Sequence, residues 1–309
     1  MKQFNEQTAI KQSEKVINKP RNIFIVFLLS LLIPGVGQIY NGQLKKAILF
    51  ISLIFLIPFL FGMAGWVTFF YGFLICALIS LALWIYIIVD GIINAKRQKE
   101  YILKSFNIWY CYILAAIGIF AIGLIFESCN FLGVKSYNIT AGSSMPTLQI
   151  EDSVVADMTA YNKKEPNYGD LVLYATDDEG KMYVHRVIGL PNDKIELVDG
   201  MVSINGKISK TKLVNEAVHN GWNEYEEELP NGHKHLMYGK INKLFAIGRE
   251  NKKTAVVPPD YYYVLGDNRN DAQDSRYRGF ISRDDIKGRI LYSIYGATKD
   301  RVNVDFRLK

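Results

Sequence analysis

Apolar residues are gathered into one part of this 309-residue chain rather than spread along it. Positions 22–126 are dense in Ile, Leu, Phe and Ala, whereas positions 136–309 mix charged, polar and turn residues. A helix needs roughly 20 apolar residues to cross a bilayer. Asn22–Ile33 falls short of that length. Ala47–Ala64 comes close and contains Pro58, which membrane helices tolerate because neighbouring helices satisfy the freed backbone groups. Trp66–Ile93 and Ile108–Phe126 are long enough. No small-residue cleavage pattern follows the first stretch, so it does not read as a signal peptide; Pro34-Gly35-Val36-Gly37-Gln38-Ile39-Tyr40-Asn41-Gly42-Gln43 follows instead. That segment is loosely similar to the glycine-rich turn of small helical-hairpin membrane modules.

Charge sets the expected orientation. The net charge is +6. Lys2, Lys11, Lys15, Lys19 and Arg21 precede the first stretch, Lys45 and Lys46 precede the second, and Lys96, Arg97, Lys99 and Lys104 separate the third from the fourth. Basic loops stay cytoplasmic. All three assignments agree only if Asn22–Ile33 lies in the interface or re-enters. The chain then crosses three times, and everything after about Glu127 is extracytoplasmic. Four crossings are the alternative, leaving one basic loop outside. The expected organisation is a basic cytoplasmic N-terminus (1–21), a membrane region (22–126, comprising 22–33, 47–64, 66–93 and 108–126) and an extracytoplasmic β domain (136–309). The expected partner is the lipid bilayer. No aromatic-interleaved basic patch points to nucleic acid.

Cys76, Cys111 and Cys129 form neither a disulfide framework nor a metal-ligand spacing, and no metal or organic cofactor is indicated. Of the four histidines, His233 and His235 read as a solvated loop pair around Lys234.

Past residue 136, short alternating runs separated by turn residues predict antiparallel strands over Ser153–Met158, Asp170–Ala175, Met182–Gly189, Lys194–Leu197, Met201–Ile204, Leu244–Ile247 and Tyr261–Leu265. Asp199-Gly200 and Asn205-Gly206 are hairpin turn signals. The polar segment at about 211–243, with Glu226-Glu227-Glu228 and Pro230-Asn231-Gly232, reads as an insertion or extended loop, or else an ordered hairpin.

The most reactive-looking segment is Thr140–Leu148, which begins shortly after the last apolar stretch. Gly142 allows close backbone approach to a substrate and Pro146 stiffens the exit, an arrangement suited to a serine nucleophile at Ser143 or Ser144. Together with three later blocks, this segment resembles the bacterial type I signal peptidases, peptidase family S26. The blocks are Ala141–Leu148, Gly169–Tyr174, Tyr183–Asp193 and Leu265–Arg269 continuing through Asp274-Ser275-Arg276 to Gly279-Phe280. The resemblance covers roughly 136–295. It implies a membrane-anchored serine endopeptidase that removes signal peptides from exported preproteins, cutting after small residues, with a mostly antiparallel β catalytic domain.

The chain departs from the bacterial pattern in three ways. His185 stands where most bacterial members carry lysine; the endoplasmic-reticulum and archaeal branches use histidine there. Histidine titrates near neutrality and needs no large pKa shift to act as base. Lys181, four residues back and about 13 Å away on an extended strand, cannot easily replace it. Ala272 stands where lysine-type members place a serine, so a histidine base would look for a carboxylate: Asp274 first, Asp267 as the alternative, whose other reading is a turn cap. Last, Ser143-Ser144-Met145-Pro146 allows two alignments; keeping the spacing from Pro146 favours Ser143, and keeping the Ser-Met pair favours Ser144. The oxyanion donor would be the backbone of Ser143, because Ala141 offers no hydroxyl. Asp170 and Arg276 would pair to brace the site, and Arg186 reads as a strand-face cation with a carboxylate partner. Two other readings stand: a protease dedicated to a pilin or conjugation factor, since a related pilin-processing branch carries Ser-Met-Pro, and a degenerate relative serving as a membrane binding or assembly protein.

Overall fold

The computed structural model describes residues 16–17, 20–176, 181–198, 201–239 and 254–307. Asp199-Gly200, the strand expected over Leu244–Ile247, residues 240–243 of the polar segment, and most of the basic N-terminus lie outside the described residues. The chain divides into two compact units, 1–67 with 71–132, and 68–70 with 133–309.

The first unit is helical. α1 (Ile23–Leu32) starts at Asn22, whose side chain accepts from the N–H groups of Phe24 and Ile25, satisfying two donors that no helical carbonyl can reach. It stops at Ile33-Pro34-Gly35, where Gly35 takes φ +90 and leads into α2 (Val36–Tyr40). Three longer helices follow: α3 (Leu44–Met63), α4 (Phe70–Arg97) and α5 (Trp109–Ser128). Among the described residues these three are long and apolar enough to cross a membrane, while α1 is shorter. Large apolar side chains of all three, such as Leu60, Leu78 and Phe120, are exposed, which suits a lipid environment.

The Pro34–Gln43 segment is anchored rather than loose. Gln38 is buried and donates to the Ile87 carbonyl (2.7 Å) and to Asp90 (3.4 Å). Asn41 donates to the Gly91 carbonyl (2.8 Å), and Asp90 pairs with Lys46 (2.5 Å). A carboxylate on an apolar helix is expensive in lipid unless partnered, and here its partners come from α2 and α3.

The second unit is mostly antiparallel β. A seven-stranded sheet is built from β1 (Val134–Asn138), β2 (Ser153–Asp157), β3 (Leu171–Ala175) and β4 (Met182–Gly189), together with three later strands. A smaller sheet holds β5 (Lys194–Val198), β6 (Met201–Ile204) and β7 (Lys207–Ile208). The polar segment is neither loop nor single hairpin. It forms a separate three-stranded sheet of β8 (Lys210–His219), β9 (Trp222–Glu228) and β10 (Lys234–Gly239). The chain then adds β11 (Ala255–Val256) to the smaller sheet, and β12 (Tyr261–Leu265), the short helix α6 (Ser275–Arg278), β13 (Ile281–Ser282) and β14 (Ile286–Tyr295). The large sheet runs β13-β12-β4-β3-β14-β2-β1. β14, which the sequence pattern did not single out, is one of its central strands. The Asn205-Gly206 turn does join β6 to β7, with both residues at positive φ.

Period-two alternation builds the core. Val172 and Tyr174 of β3 enter one apolar cluster with Val187, Tyr262 and Val264, while Leu171 and Leu173 enter another with Leu148, Val154 and Ile290. β3 therefore buries both faces, which is why it reads as an unbroken apolar run.

The three-stranded sheet docks on the Gly266–Arg269 turn through backbone and charge. Tyr238 N–H donates to the Asp267 carbonyl (2.8 Å), and Arg269 N–H donates to the Tyr238 carbonyl (3.0 Å). Glu227, fully buried, pairs with the fully buried Arg269 and accepts from Ser209 (2.8 Å). Burial pushes the Glu227 carboxyl up, but the Arg269 guanidinium outweighs it and holds the group well below the usual range. The pair therefore stays ionised, and removing one partner leaves the other charged and unpaired. We predict that Glu227→Ala destabilises the second unit by about 3–5 kcal/mol. Denaturant unfolding of the detergent-solubilised protein would measure this, and a loss under about 1 kcal/mol, the range of surface pairs, would contradict it.

Candidate active site

Three successive residues of β4 hold three parts of the site. The Val184 carbonyl accepts from the Ser144 hydroxyl (2.6 Å). His185 points to the opposite face from Arg186, as alternation requires. Arg186 grips Asp267 through Nε (2.9 Å) and Nη2 (2.6 Å), the bidentate geometry guanidinium and carboxylate favour. Asp267 also accepts from Thr147 (2.5 Å), two residues beyond the serine turn's Met145. The expected carboxylate partner of Arg186 is thus present, and Asp267 is an ion-pair partner rather than a simple turn cap. The charge of Arg186 outweighs burial and holds the Asp267 carboxyl low.

The serine turn is tied down from the other side by Asn268. Its N–H donates to the Ser143 carbonyl (3.0 Å) and its side-chain amide to the Gly142 carbonyl (2.9 Å). Leu148 plugs the core at the end of the turn, fully buried. The two serines are not equivalent. Ser144 is buried with its hydroxyl committed to Val184. Ser143 is half-buried, and neither its hydroxyl nor its N–H makes a hydrogen bond among the described residues.

The Ser143 backbone and the His185 ring both approach Gly266. A Cβ on Gly266 would lie 2.5 Å from the Ser143 carbonyl oxygen, 2.3 Å from the Ala272 methyl and 3.4 Å from the His185 ring carbon Cδ2. The imidazole is buried and its Nε2 has no hydrogen-bond partner among the described residues. No hydrogen bond joins it to either serine in this structure; such bonds are often long before substrate binds. Burial is the main reason that the His185 pKa falls to about 4, against the opposing charges of Asp274 and Asp267.

Two expected contacts are replaced by others. Among the described residues no carboxylate hydrogen-bonds to His185; Nδ1 meets the Tyr174 hydroxyl at 2.8 Å. Asp274 is taken up elsewhere: it caps α6, binds Arg276 through Nε and Nη2 (both 2.8 Å) and accepts from Gly266 N–H (2.9 Å). Asp274 and Asp267 therefore act on the imidazole through charge alone. Nor do Asp170 and Arg276 pair with each other. Asp170 is held by Arg289 (2.8 Å) and Tyr161 (3.0 Å), because Arg276 is already committed to Asp274.

His233 and His235 are not a solvated loop pair. His235 is buried on β10, 3.3 Å from Glu227 and 3.8 Å from Asp267. His233 stands 3.2 Å from Arg186, and burial followed by that positive charge brings its pKa to about 4. Strand parity was the missed signal: Tyr225, Glu227 and Leu229 alternate as buried positions, so the middle glutamate of the acidic run points inward. Tyr174 was missed because a tyrosine in an apolar strand reads as core.

A family model described as "Signal peptidase, peptidase S26" matches residues 110–295. A "Probable signal peptidase I-2" of Synechocystis sp. is 31% identical over 157 residues, covering 49% of this chain and 58% of the relative. A "Signal peptidase I" of Rickettsia conorii is 35% identical over 181 residues, covering 49% of this chain and 68% of the relative. The chain spans about half the length of the first curated relatives it matches. A solved signal peptidase I structure from Enterococcus faecalis is 25% identical, with a TM-score of 0.26, over 41% of this chain and 97% of that one.

The buried ring makes a direct prediction. A free histidine takes up its proton near pH 6.5, whereas His185 should stay neutral until the pH falls through about 4. Ring-nitrogen NMR titration of the intact protein reads this midpoint, and a value at or above 6.5 would show that the ring is solvated or carboxylate-bound.

Proposed function

This chain belongs to the signal peptidase family, peptidase S26, and from that membership we propose that it is a membrane-bound serine endopeptidase that removes signal peptides from exported preproteins. Ser143 is the nucleophile and attacks the scissile carbonyl. His185 takes the hydroxyl proton at Nε2 and returns it to the leaving amine. The N–H of Ser143 donates to the oxyanion as it forms. Ser144 fastens the turn to β4. Asp274 and Asp267 favour the transient imidazolium by their charge, and Arg276 and Arg186 hold them in place. The peptide lies extended beside the sheet, offering backbone hydrogen bonds to strand-like partners. Three helices cross the bacterial inner membrane and hold the β domain on its extracytoplasmic side, at the level where the end of a signal peptide emerges.

The observation that carries this reading is that the Ser143 backbone and the His185 ring both crowd Gly266, while the Ser143 hydroxyl and the His185 Nε2 have no hydrogen-bond partner among the described residues. The second serine is already spoken for by Val184, which supports Ser143 over Ser144. The low His185 pKa fits a base that is neutral, and so able to accept a proton, at neutral pH. The missing Ser–His hydrogen bond and the absence of a carboxylate on the ring favour the other reading, a degenerate relative acting as a membrane binding partner.

Cleavage of a preprotein by the detergent-solubilised protein separates the two. The enzyme reading predicts cleavage after small residues, complete loss in Ser143→Ala, and a fall of about 10²–10⁴-fold in His185→Ala. Ser144→Ala should retain activity within about tenfold, since it loses one hydrogen bond. Full activity in Ser143→Ala would move the nucleophile to Ser144. No cleavage by the unaltered protein, on general preproteins or on a pilin-type substrate, would favour the binding role.

A further inference from the structure

The hydrogen bond between Tyr174 and His185 has no counterpart in the expected serine–histidine–carboxylate chain. Tyr174 on β3 and His185 on β4 lie on the same sheet face, because Val172 pairs with His185 and Tyr174 with Tyr183 across the strands. This diagonal placement lets the phenol reach the ring. Both side chains are buried, and Oη lies 2.8 Å from Nδ1. Tyr183 stacks on Tyr174 at 5.9 Å, and Arg278 bonds the Tyr183 hydroxyl at 3.0 Å, so the phenol is held from its outer side.

The tautomer follows from counting protons. Burial, and next the charge of Asp274, raises the Tyr174 pKa, so the phenol keeps its proton. Among the described residues Nδ1 is the acceptor available to that proton. If the phenol donates, the hydroxyl and Nδ1 are both satisfied, the imidazole proton sits on Nε2, and that N–H is the one group of the pair left without a partner among the described residues. If Nδ1–H donates instead, the phenol proton is left buried without an acceptor, which is unfavourable. The first arrangement therefore dominates at rest. Accepting the serine proton at Nε2 requires the second, in which the phenol oxygen becomes the acceptor. The same oxygen holds the ring in both arrangements.

We propose that Tyr174 is a positioning residue that fixes the orientation of His185 and sets its resting tautomer, with the proton on Nε2, in the place where a carboxylate was expected. For its catalytic meaning this rests on His185 being the general base; the tautomer itself does not depend on that reading.

Ring-15N-histidine NMR of the full-length protein in detergent tests it. The chain has four histidines, so the spectrum is small, and His185→Gln identifies the signals of this ring. In the unaltered protein His185 should show a protonated Nε2 and a hydrogen-bonded, unprotonated Nδ1. Tyr174→Phe keeps the ring packing and removes one hydroxyl. It should move the Nδ1 signal to that of an unbonded nitrogen and let the ring proton redistribute between Nε2 and Nδ1, since no phenol then donates to Nδ1. A protonated Nδ1 at rest, or unmoved His185 signals in Tyr174→Phe, overturns the proposal. If His185→Gln still cleaves at the full rate while its Tyr174 bond is seen, the base assignment falls and the tautomer assignment stands.

Discussion

The buried pair of Arg186 and Asp267 is the contact on which the rest of the second unit's site depends. Arg186 comes from a central strand, Asp267 from a turn between β12 and α6, and Thr147 joins them from the serine turn. Both charges are almost completely shielded from water. A charge so placed is tolerated only with its partner and its hydrogen bonds intact, so each segment is confined to a narrow range of positions. Arg186 also donates to the Gly169 carbonyl (2.7 Å), which brings the second sequence block to the same point. Four segments far apart in the chain are thereby fixed around one ion pair.

A second buried pair extends this arrangement into the polar three-stranded sheet. Arg269 lies two residues beyond Asp267 and pairs with Glu227 of β9, and His235 stands between the two carboxylates. The sheet is therefore part of the support of the Gly266–Arg269 turn and not an appendage. Buried ion pairs of this type confine what they join, because each member is costly to leave unpaired. His185 sits in a different setting. Its neighbours at hydrogen-bond distance are neutral, its charged neighbours act only through space, and burial dominates its titration. The two environments differ by one residue on one strand, since alternation sends Arg186 to the charged side and His185 to the aromatic one.

Much of this was legible beforehand. Apolar length picked out the three long helices and the short first one, because crossing lipid demands an uninterrupted apolar run. Period-two patterning found β3, β4, β6 and β12, and Asn205-Gly206 marked its hairpin, because few other residues accept consecutive positive φ values. The long strand β14 escaped notice. Its run Ile286–Tyr295 mixes charged, glycine and apolar residues, and its register slips at several points, so no clean alternation shows. The acidic run at Glu226–Glu228 looked solvated for a related reason: three like charges in a row suggest water unless a buried arginine is known to wait for the middle one.

The sequence by itself determined which residues were chemically capable. Serine next to glycine and near proline, a histidine beside an arginine in a largely apolar strand, and two carboxylates downstream are local facts, and the four blocks that carry the family are linear. Which carboxylate meets which cation was decided only by the tertiary structure. Asp274 and Asp267 are equally suited to an imidazole by composition, yet Arg276 and Arg186 occupy them, and a tyrosine from the neighbouring strand takes the place left at Nδ1. The physical reason is that hydrogen-bond partners are assigned by strand register and face. Those come from how the whole sheet packs, and no short stretch of sequence encodes them.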